Sequence, residues 1–475
     1  MNLLKLQLSV FLIFLSPIVA QKNLSTDFNN TFQTTCLQHA HIGVSIVETK
    51  TNKLVFEKNA TKWFSTASTL KLITTSAALE ILGEEYKFET KIFHTGEIKD
   101  SVLTGNLIIK GSGDPTLGSS RYNESTGSIK TELAIAFKKL NIKKITGDIV
   151  IDFSEFDPSI IAPKTYWQDM GNYFSGAVWP INFDENLMYV TFKRENTLNY
   201  PTEIVQIKPN IPHLIIDNQV ITNGTKDEAF AYMAPYSNHL SIKGTLPPSN
   251  DNYTIKTAHP YPPAYFTDIL KDVLKNCKID YIGQTKESFE KTNATQEIWS
   301  HKSPSLKNII KETNQYSINL YAEAILRATG FKHFGAYSTE NGIKAVKNFI
   351  TTLNLDPKLL NMWDGSGISP ANVTSPHFMT SYMYALQKYK WYATFLLSWS
   401  TSGSVGTLKN FGKNTSLENN FKGKSGNLDG ISSYFGNYKN QHGQEYTICI
   451  FVNNFVCDNV AIKKTIESFI VKSCK

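Results

Sequence analysis

The chain has 475 residues and a formal charge of +7, a length that suggests roughly three domains. The excess of cations is diluted along the chain and no dense basic run accompanies it, which argues against a nucleic-acid partner. Beyond the first twenty residues no stretch approaches about 18 unbroken apolar residues, so the remainder is expected to be soluble or only peripherally attached to a membrane.

Residues 1–20, MNLLKLQLSVFLIFLSPIVA, carry one cation (Lys5), no acid, a short apolar run and a terminal Ala20. That is the layout of a secretory signal peptide, so export is expected and these residues are set apart from the fold. Residues 42–57, IGVSIVETKTNKLVFE, alternate apolar and polar on both sides of a polar turn, the signature of a hairpin. The spacing then predicts a helix over 66–82, with Leu70, Ile73, Ala77, Ala78 and Ile81 near helical period and Gly83 just beyond its end.

Residues 84–300 read as strand-rich, with runs at Asn106–Lys110 and Gly147–Phe153 and a turn at Gly111–Pro115. A small Pro- and Asn-punctuated module near 196–244 adds strands at Ile204–Ile207 and His213–Val220, and a helix is expected at Ala264–Lys275. From 303 to 390 the pattern is mainly helical. Strand alternation returns in Gly430–Tyr438 and Tyr446–Val452, and a last helix, 459–471, places Val460, Ile466, Phe469 and Ile470 on one side. The five cysteines are too few and too scattered for a disulfide framework. Cys457 and Cys474, which flank that last helix, are the candidate pair. Asn-x-Ser/Thr triplets, as at Asn23, Asn59 and Asn293, are common enough in this composition to arise by chance.

Three short elements carry chemistry. Ser68 and Lys71 form a Ser-x-x-Lys pair that shares a helix face, where a lysine deprived of its charge by burial takes the hydroxyl proton. The same pattern recurs at Ser288 and Lys291, but in polar surroundings without a packing face. Ser317-Ile318-Asn319 lies at the junction of two helical runs, and a second Ser-x-Asn occurs at Ser425-Gly426-Asn427. Lys424-Ser425-Gly426 is the only Lys-Ser/Thr-Gly in the chain; its lysine offers a fixed cation, and its glycine lets a substrate backbone lie close. A zinc site at His39-Ala40-His41 lacks a third ligand, and the 111–115 loop lacks the Gly-Lys-Ser/Thr of a phosphate cradle.

These three elements, in this order, resemble the penicillin-binding and serine β-lactamase superfamily. The long insert between Ser68 and Ser317 is similar to that of class C low-molecular-mass penicillin-binding proteins, which are D-Ala-D-Ala carboxypeptidases and endopeptidases. GSGDPTLGS (111–119), DFSEFD (152–157), SINLYAEAIL (317–326) and DGSGISPANVTSP (364–376) extend the likeness over most of the chain. It is weakest near 196–244.

The resemblance implies an α+β fold, in which a β-lactamase/transpeptidase-like domain (an antiparallel sheet flanked by helices) carries a large β-rich insert forming two further domains. The expected division is a catalytic domain at 21–90 and 295–475, an inserted domain at 91–195 and 245–294, and a small nested domain at 196–244. It also implies an exported serine peptidase acting on peptidoglycan stem peptides in the periplasm or cell envelope, acylated by β-lactams and needing no cofactor or metal.

Residue by residue, Ser68 becomes the nucleophile, Lys71 its base, and Ser317 the relay to the leaving amine. Asn319 holds Lys71 and the substrate, and Lys424 supplies a positive field. Lys424 and Ser425 bind the terminal carboxylate on a strand opened by Gly426, and the N–H groups of Ser68 and Asn427 form an oxyanion hole. Asp169 matches a position facing the free amino group of the stem. Lys-Ser-Gly in place of Lys-Thr-Gly keeps the hydroxyl, whereas Pro370 stands where Arg is common and leaves side-chain preference open. The other readings are a non-catalytic binding protein on this scaffold and a β-lactamase, whose members lack so large an insert.

Overall fold

The computed structural model describes residues 24–293 and 296–474; the expected signal peptide lies outside them. A six-stranded antiparallel sheet runs in the order Leu54–Lys58, His41–Glu48, Glu445–Asn453, Ile431–Lys439, Phe421–Leu428, Ser400–Thr401. Both faces of its central strands are covered, so alternate side chains serve two cores. Val44, Ile46, Ile448 and Ile450 pack with Phe28, Phe32, Ile462, Ile466 and Phe469 from residues 24–32 and the helix Asn459–Ser473. Phe435, Cys449 and Phe451 face the helical block instead. Val460 is exposed, unlike Ile466 and Phe469, because it lies on the solvent side of the first turn.

The predicted helix over 66–82 divides in two. Ala67–Leu70 is a 3₁₀ turn, and the α-helix runs Lys71–Leu82, ending at Gly83 with φ +85°. Leu72, Ile73, Thr74, Thr75, Ser76, Ala77, Ala78 and Leu79 are all buried, so this is a central helix rather than an amphipathic surface one. Its hydroxyl side chains are satisfied internally: Thr75 Oγ1 donates to Lys71 O and Ser76 Oγ to Leu72 O, each one turn back. The helix packs against Leu306–Tyr316, Asn319–Phe334 and Thr339–Thr352.

The insert adds a mixed five-stranded sheet in the order Thr285–Ser288, Ile149–Asp152, Leu107–Gly111, Glu89–His94, Gln296–Lys302. Its core, with Leu107, Ile149 and Phe266, is continuous with that of the helical block. Two three-stranded sheets form the small module, drawing on strands from Leu187–Lys193 to Tyr253–Ala258 around a separate cluster of Met188, Val190, Phe192, Leu240 and Ile242.

The disulfide differs from the sequence expectation. Cys457 pairs with Cys36, not Cys474. The helix Asn459–Ser473 separates Cys457 from Cys474 by its whole length, and Cys474, at its C-terminal end, is buried. Among the described residues, no helix is long and apolar enough to cross a membrane.

Candidate active site

The three sequence elements converge at one edge of the large sheet. Ser68 sits in the 3₁₀ turn directly after Ala67, a non-glycine residue held at φ +43°. This left-handed residue turns the chain so that Ser68 leads into the buried helix with its side chain half-buried. Lys71 is fully buried at the first position of that helix. Its Nζ lies 2.9 Å from Ser68 Oγ, 2.6 Å from Asn319 Oδ1 and 2.6 Å from the Ser366 carbonyl oxygen.

The Asn319 and Ser366 oxygens are pure acceptors and take two N–H groups. The third contact is with the Ser68 hydroxyl, which accepts from Nζ and is the one partner that can give a proton to the amine once it is neutral. Burial drives the Lys71 pKa down to about 7, against the opposing charges of Asp364 and Glu323. A substantial fraction of Lys71 is therefore unprotonated near neutrality.

Ser317 closes the helix Leu306–Tyr316 in a left-handed conformation, φ +60°, and the next helix starts at Asn319. This kink turns the Ser317 hydroxyl toward Lys424, whose Nζ donates to Ser317 Oγ at 2.9 Å and to Ser425 O at 2.7 Å. Lys424 is fully buried, and its pKa is held well below the ordinary lysine value by burial, with the charge of Lys71 adding to the effect.

Along the strand Phe421–Leu428, Asn427 faces Ser432 and Leu428 faces Ile431 across a tight turn. Leu428 and Ile431 form the hydrogen-bonded pair nearest the turn, so the Asn427 N–H points away from the neighbouring strand. The strand beyond it, Ser400–Thr401, pairs only with Lys422 and Gly423, which leaves the 424–427 edge open to a ligand. Ser425 Oγ lies 3.0 Å from Thr407 Oγ1.

Gly426 has a further use that its sequence position does not show. A Cβ there would lie 2.5 Å from both the Ser68 backbone N and Ser433 Oγ. The missing side chain lets the strand close on the Ser68 turn, which is also held by Ser433 Oγ donating to Thr66 O at 2.7 Å. Asp169 contacts none of these groups. It lies on the short helix Trp167–Met170, and burial raises its pKa.

Several supporting groups carry no role in the sequence reading. The loop Asp364–Ser369 supplies the Ser366 carbonyl, and Gly367, at φ +80°, lets the loop approach Ala67 O, which any Cβ would meet at 1.9 Å. Asp364 anchors this loop by accepting from Gly367 N at 2.6 Å and Ser369 N at 2.8 Å. Glu323 accepts from Gly365 N at 3.0 Å and Ser366 N at 2.8 Å. Burial and the neighbouring Asp364 push the Glu323 carboxyl up to about 7. From the insert, the Phe174 carbonyl accepts from Asn319 Nδ2 at 2.7 Å, which fixes the amide so that its oxygen faces Lys71. A sequence signal for Glu323 exists: Asn319, Glu323 and Arg327 recur every four residues and so share one helix face, all within the helix Asn319–Phe334.

The Ser288 pair is unlike this. Ser288 ends a strand and donates to Glu290 O at 2.9 Å, while Lys291 is exposed. His39 and His41 are not part of a metal cluster; among the described residues no three His, Cys, Asp or Glu are grouped to hold an ion.

Residues 24–473 match the model of the D-Ala-D-Ala carboxypeptidase 3 (S13) family. The chain belongs to that family. It is 26% identical over 425 residues to a D-alanyl-D-alanine carboxypeptidase, DacB, of Haemophilus influenzae, covering 88% of this chain and 86% of the relative. It is 22% identical over 440 residues to a D-alanyl-D-alanine carboxypeptidase of an Actinomadura species, covering 89% and 79%. A penicillin-sensitive carboxypeptidase A of Dictyostelium discoideum is 22% identical over 440 residues, covering 88% and 83%. The crystal structure of penicillin binding protein 4 from Haemophilus influenzae superposes with a TM-score of 0.80 at 23% identity, covering 94% of this chain and 97% of that one. The expected fold, an α+β transpeptidase-like domain with a β-rich insert, is therefore the observed one. The chain is a serine-type D-Ala-D-Ala carboxypeptidase acting on peptidoglycan stem peptides.

Proposed function

We propose that Ser68 is the acylated nucleophile of this enzyme and that Lys71 is its base. One observation carries the reading: Lys71 Nζ is buried between two pure acceptors and the Ser68 hydroxyl. Ser68 Oγ attacks the carbonyl between two D-alanines, and its proton passes to Lys71. The C–N bond then breaks, with Ser317 delivering a proton to the departing amine while Lys424 holds the Ser317 hydroxyl. Water cleaves the resulting ester and releases the shortened stem. Lys424 and Ser425 bind the terminal carboxylate, and the N–H groups of Ser68 and Asn427 stabilise the oxyanion.

Asn319 orients Lys71, and Asp169 faces the amino group of the stem's third residue. A bond between two stems is opened by the same residues, so DD-endopeptidase action belongs to the same proposal. β-Lactams acylate Ser68 and stay attached, since their ring-opened product remains tethered. We also read the chain as an exported, cell-envelope enzyme. The Cys36–Cys457 disulfide supports this, because such bonds persist in oxidising compartments. The nested module, placed at 196–244 by sequence, is taken as extending over 187–258 to include whole sheets.

The test is to incubate the protein without residues 1–20 with labelled penicillin and map the modified residue by mass spectrometry, then assay D-alanine release from defined stem peptides. Label on Ser68 together with D-alanine release is expected. Label on another residue overturns the assignment.

A further inference from the structure

A second concave surface lies on the small module. The strands Ile215–Thr222, His239–Leu246 and Phe230–Tyr232 form a sheet whose alternation buries Val220, Leu240, Ile242 and Ala231. The opposite face turns outward, and Trp167 from the helix Trp167–Met170 walls one side of it. Trp167, Tyr232, Asp217, His239, Ser241 and Lys243 line a groove of about 610 Å³. Trp167 is 56% exposed, an unusual state for so large an apolar ring. Asp217 Oδ2 already accepts from Ser241 Oγ at 3.0 Å, while Lys243 enters no ion pair among the described residues. A flat aromatic wall beside hydroxyl, carboxylate and ammonium groups fits a pyranose ring, with an apolar C–H face and a rim of hydroxyl and acetamido groups.

The groove is tied rigidly to the active site. Asn172 makes two hydrogen bonds to Ala231, its Oδ1 accepting from Ala231 N at 3.0 Å and its Nδ2 donating to Ala231 O at 3.1 Å. Two residues later the Phe174 carbonyl holds Asn319, which in turn holds Lys71. Asp169 shares its short helix with Trp167. On the reading that Asp169 meets the third residue of the stem, Trp167 stands two residues away on the same short helix. The N-terminal end is where the stem joins the sugar.

We propose that this groove is a glycan subsite, which binds the N-acetylated disaccharide carrying the stem peptide, with one ring stacked on Trp167. The inference rests on the DD-peptidase reading of the Ser68 site and extends it to the polymer.

The experiment compares D-alanine release from a disaccharide-pentapeptide with release from the same pentapeptide free, in the wild type and in Trp167→Ala. The wild type is expected to prefer the glycan-bearing substrate in kcat/KM by roughly 3- to 10-fold, the range of one stacking contact. In Trp167→Ala that ratio falls to near one. Equal kcat/KM values in the wild type, or an unchanged ratio in Trp167→Ala, overturn the proposal. A second measurement is independent of catalysis: titration of Ser68→Ala with peptide-free glycan tetrasaccharide, followed by tryptophan fluorescence. Saturable quenching that disappears with Trp167→Ala supports the subsite, and no quenching overturns it. Failure of the enzyme to release D-alanine from either substrate instead counts against the Ser68 reading and leaves the titration to decide the groove.

Discussion

Ser68–Lys71 and Ser288–Lys291 have the same two residues at the same spacing and lead entirely different chemical lives. The first pair lies in a 3₁₀ turn running into a buried helix, so residues three apart meet on one face and Nζ reaches Oγ at 2.9 Å. The second begins at the end of the strand Thr285–Ser288, where Ser288 caps its own turn and Lys291 stays in solvent. Burial lowers the Lys71 pKa to about 7 and so makes it available as a base, a change that only packed surroundings bring. Reactivity here is a property of burial and backbone conformation, not of the residue pair.

The sharpest way to break this comparison is to remove each serine. Ser68→Ala is expected to lower kcat/KM for D-alanine release by about 10⁴-fold or more and to abolish penicillin labelling. Ser288→Ala, at a surface position, is expected to change either by less than about twofold. Comparable losses in the two variants would erase the distinction.

Gly426→Ala tests the packing that only the first pair has. Its Cβ would press on Ser68 N and Ser433 Oγ. The strand must retreat from the nucleophile, with an expected loss of about 10²-fold in acylation rate and about 1–3 kcal/mol in stability. Stopped-flow acylation with a chromogenic β-lactam, alongside denaturant unfolding, reads both.

The pH profile distinguishes the lysines. Lys71 must be neutral to accept the Ser68 proton, so kcat/KM rises with pH and levels off above about 7. Lys424 must be charged to hold a carboxylate, so its deprotonation supplies the falling limb, which burial displaces downward from the ordinary lysine range. A flat profile through neutrality would exclude Lys71 as the base. The smallest effect is expected from Glu323→Gln, which keeps the shape and removes a carboxylate. Glu323 raises the Lys71 pKa only while it is ionised, and its own carboxyl is pushed up to about 7, so its loss moves the acid limb only slightly, toward lower pH. Movement to higher pH would contradict the sign of this interaction.

Much of the site was legible because its elements are short and contiguous. Ser68, Lys71, Ser317, Asn319 and Lys424 stand in local patterns, and the structure brings all five together. Ser366, Phe174 and Thr407 contribute through a backbone carbonyl or a single hydroxyl, which leave no mark on residue choice. Asp169 lies on a separate helix of the insert, outside the hydrogen-bonded cluster, and the role proposed for it is toward the substrate.

The sequence by itself determined the period of each element, the order of the three motifs and the class of chemistry, because these depend on neighbours along the chain. Only the tertiary structure decided why Gly426 must be glycine and that Cys457 pairs with Cys36. Those outcomes depend on atoms hundreds of residues away, whose approach sets both the desolvation of Lys71 and the room left beside Ser68.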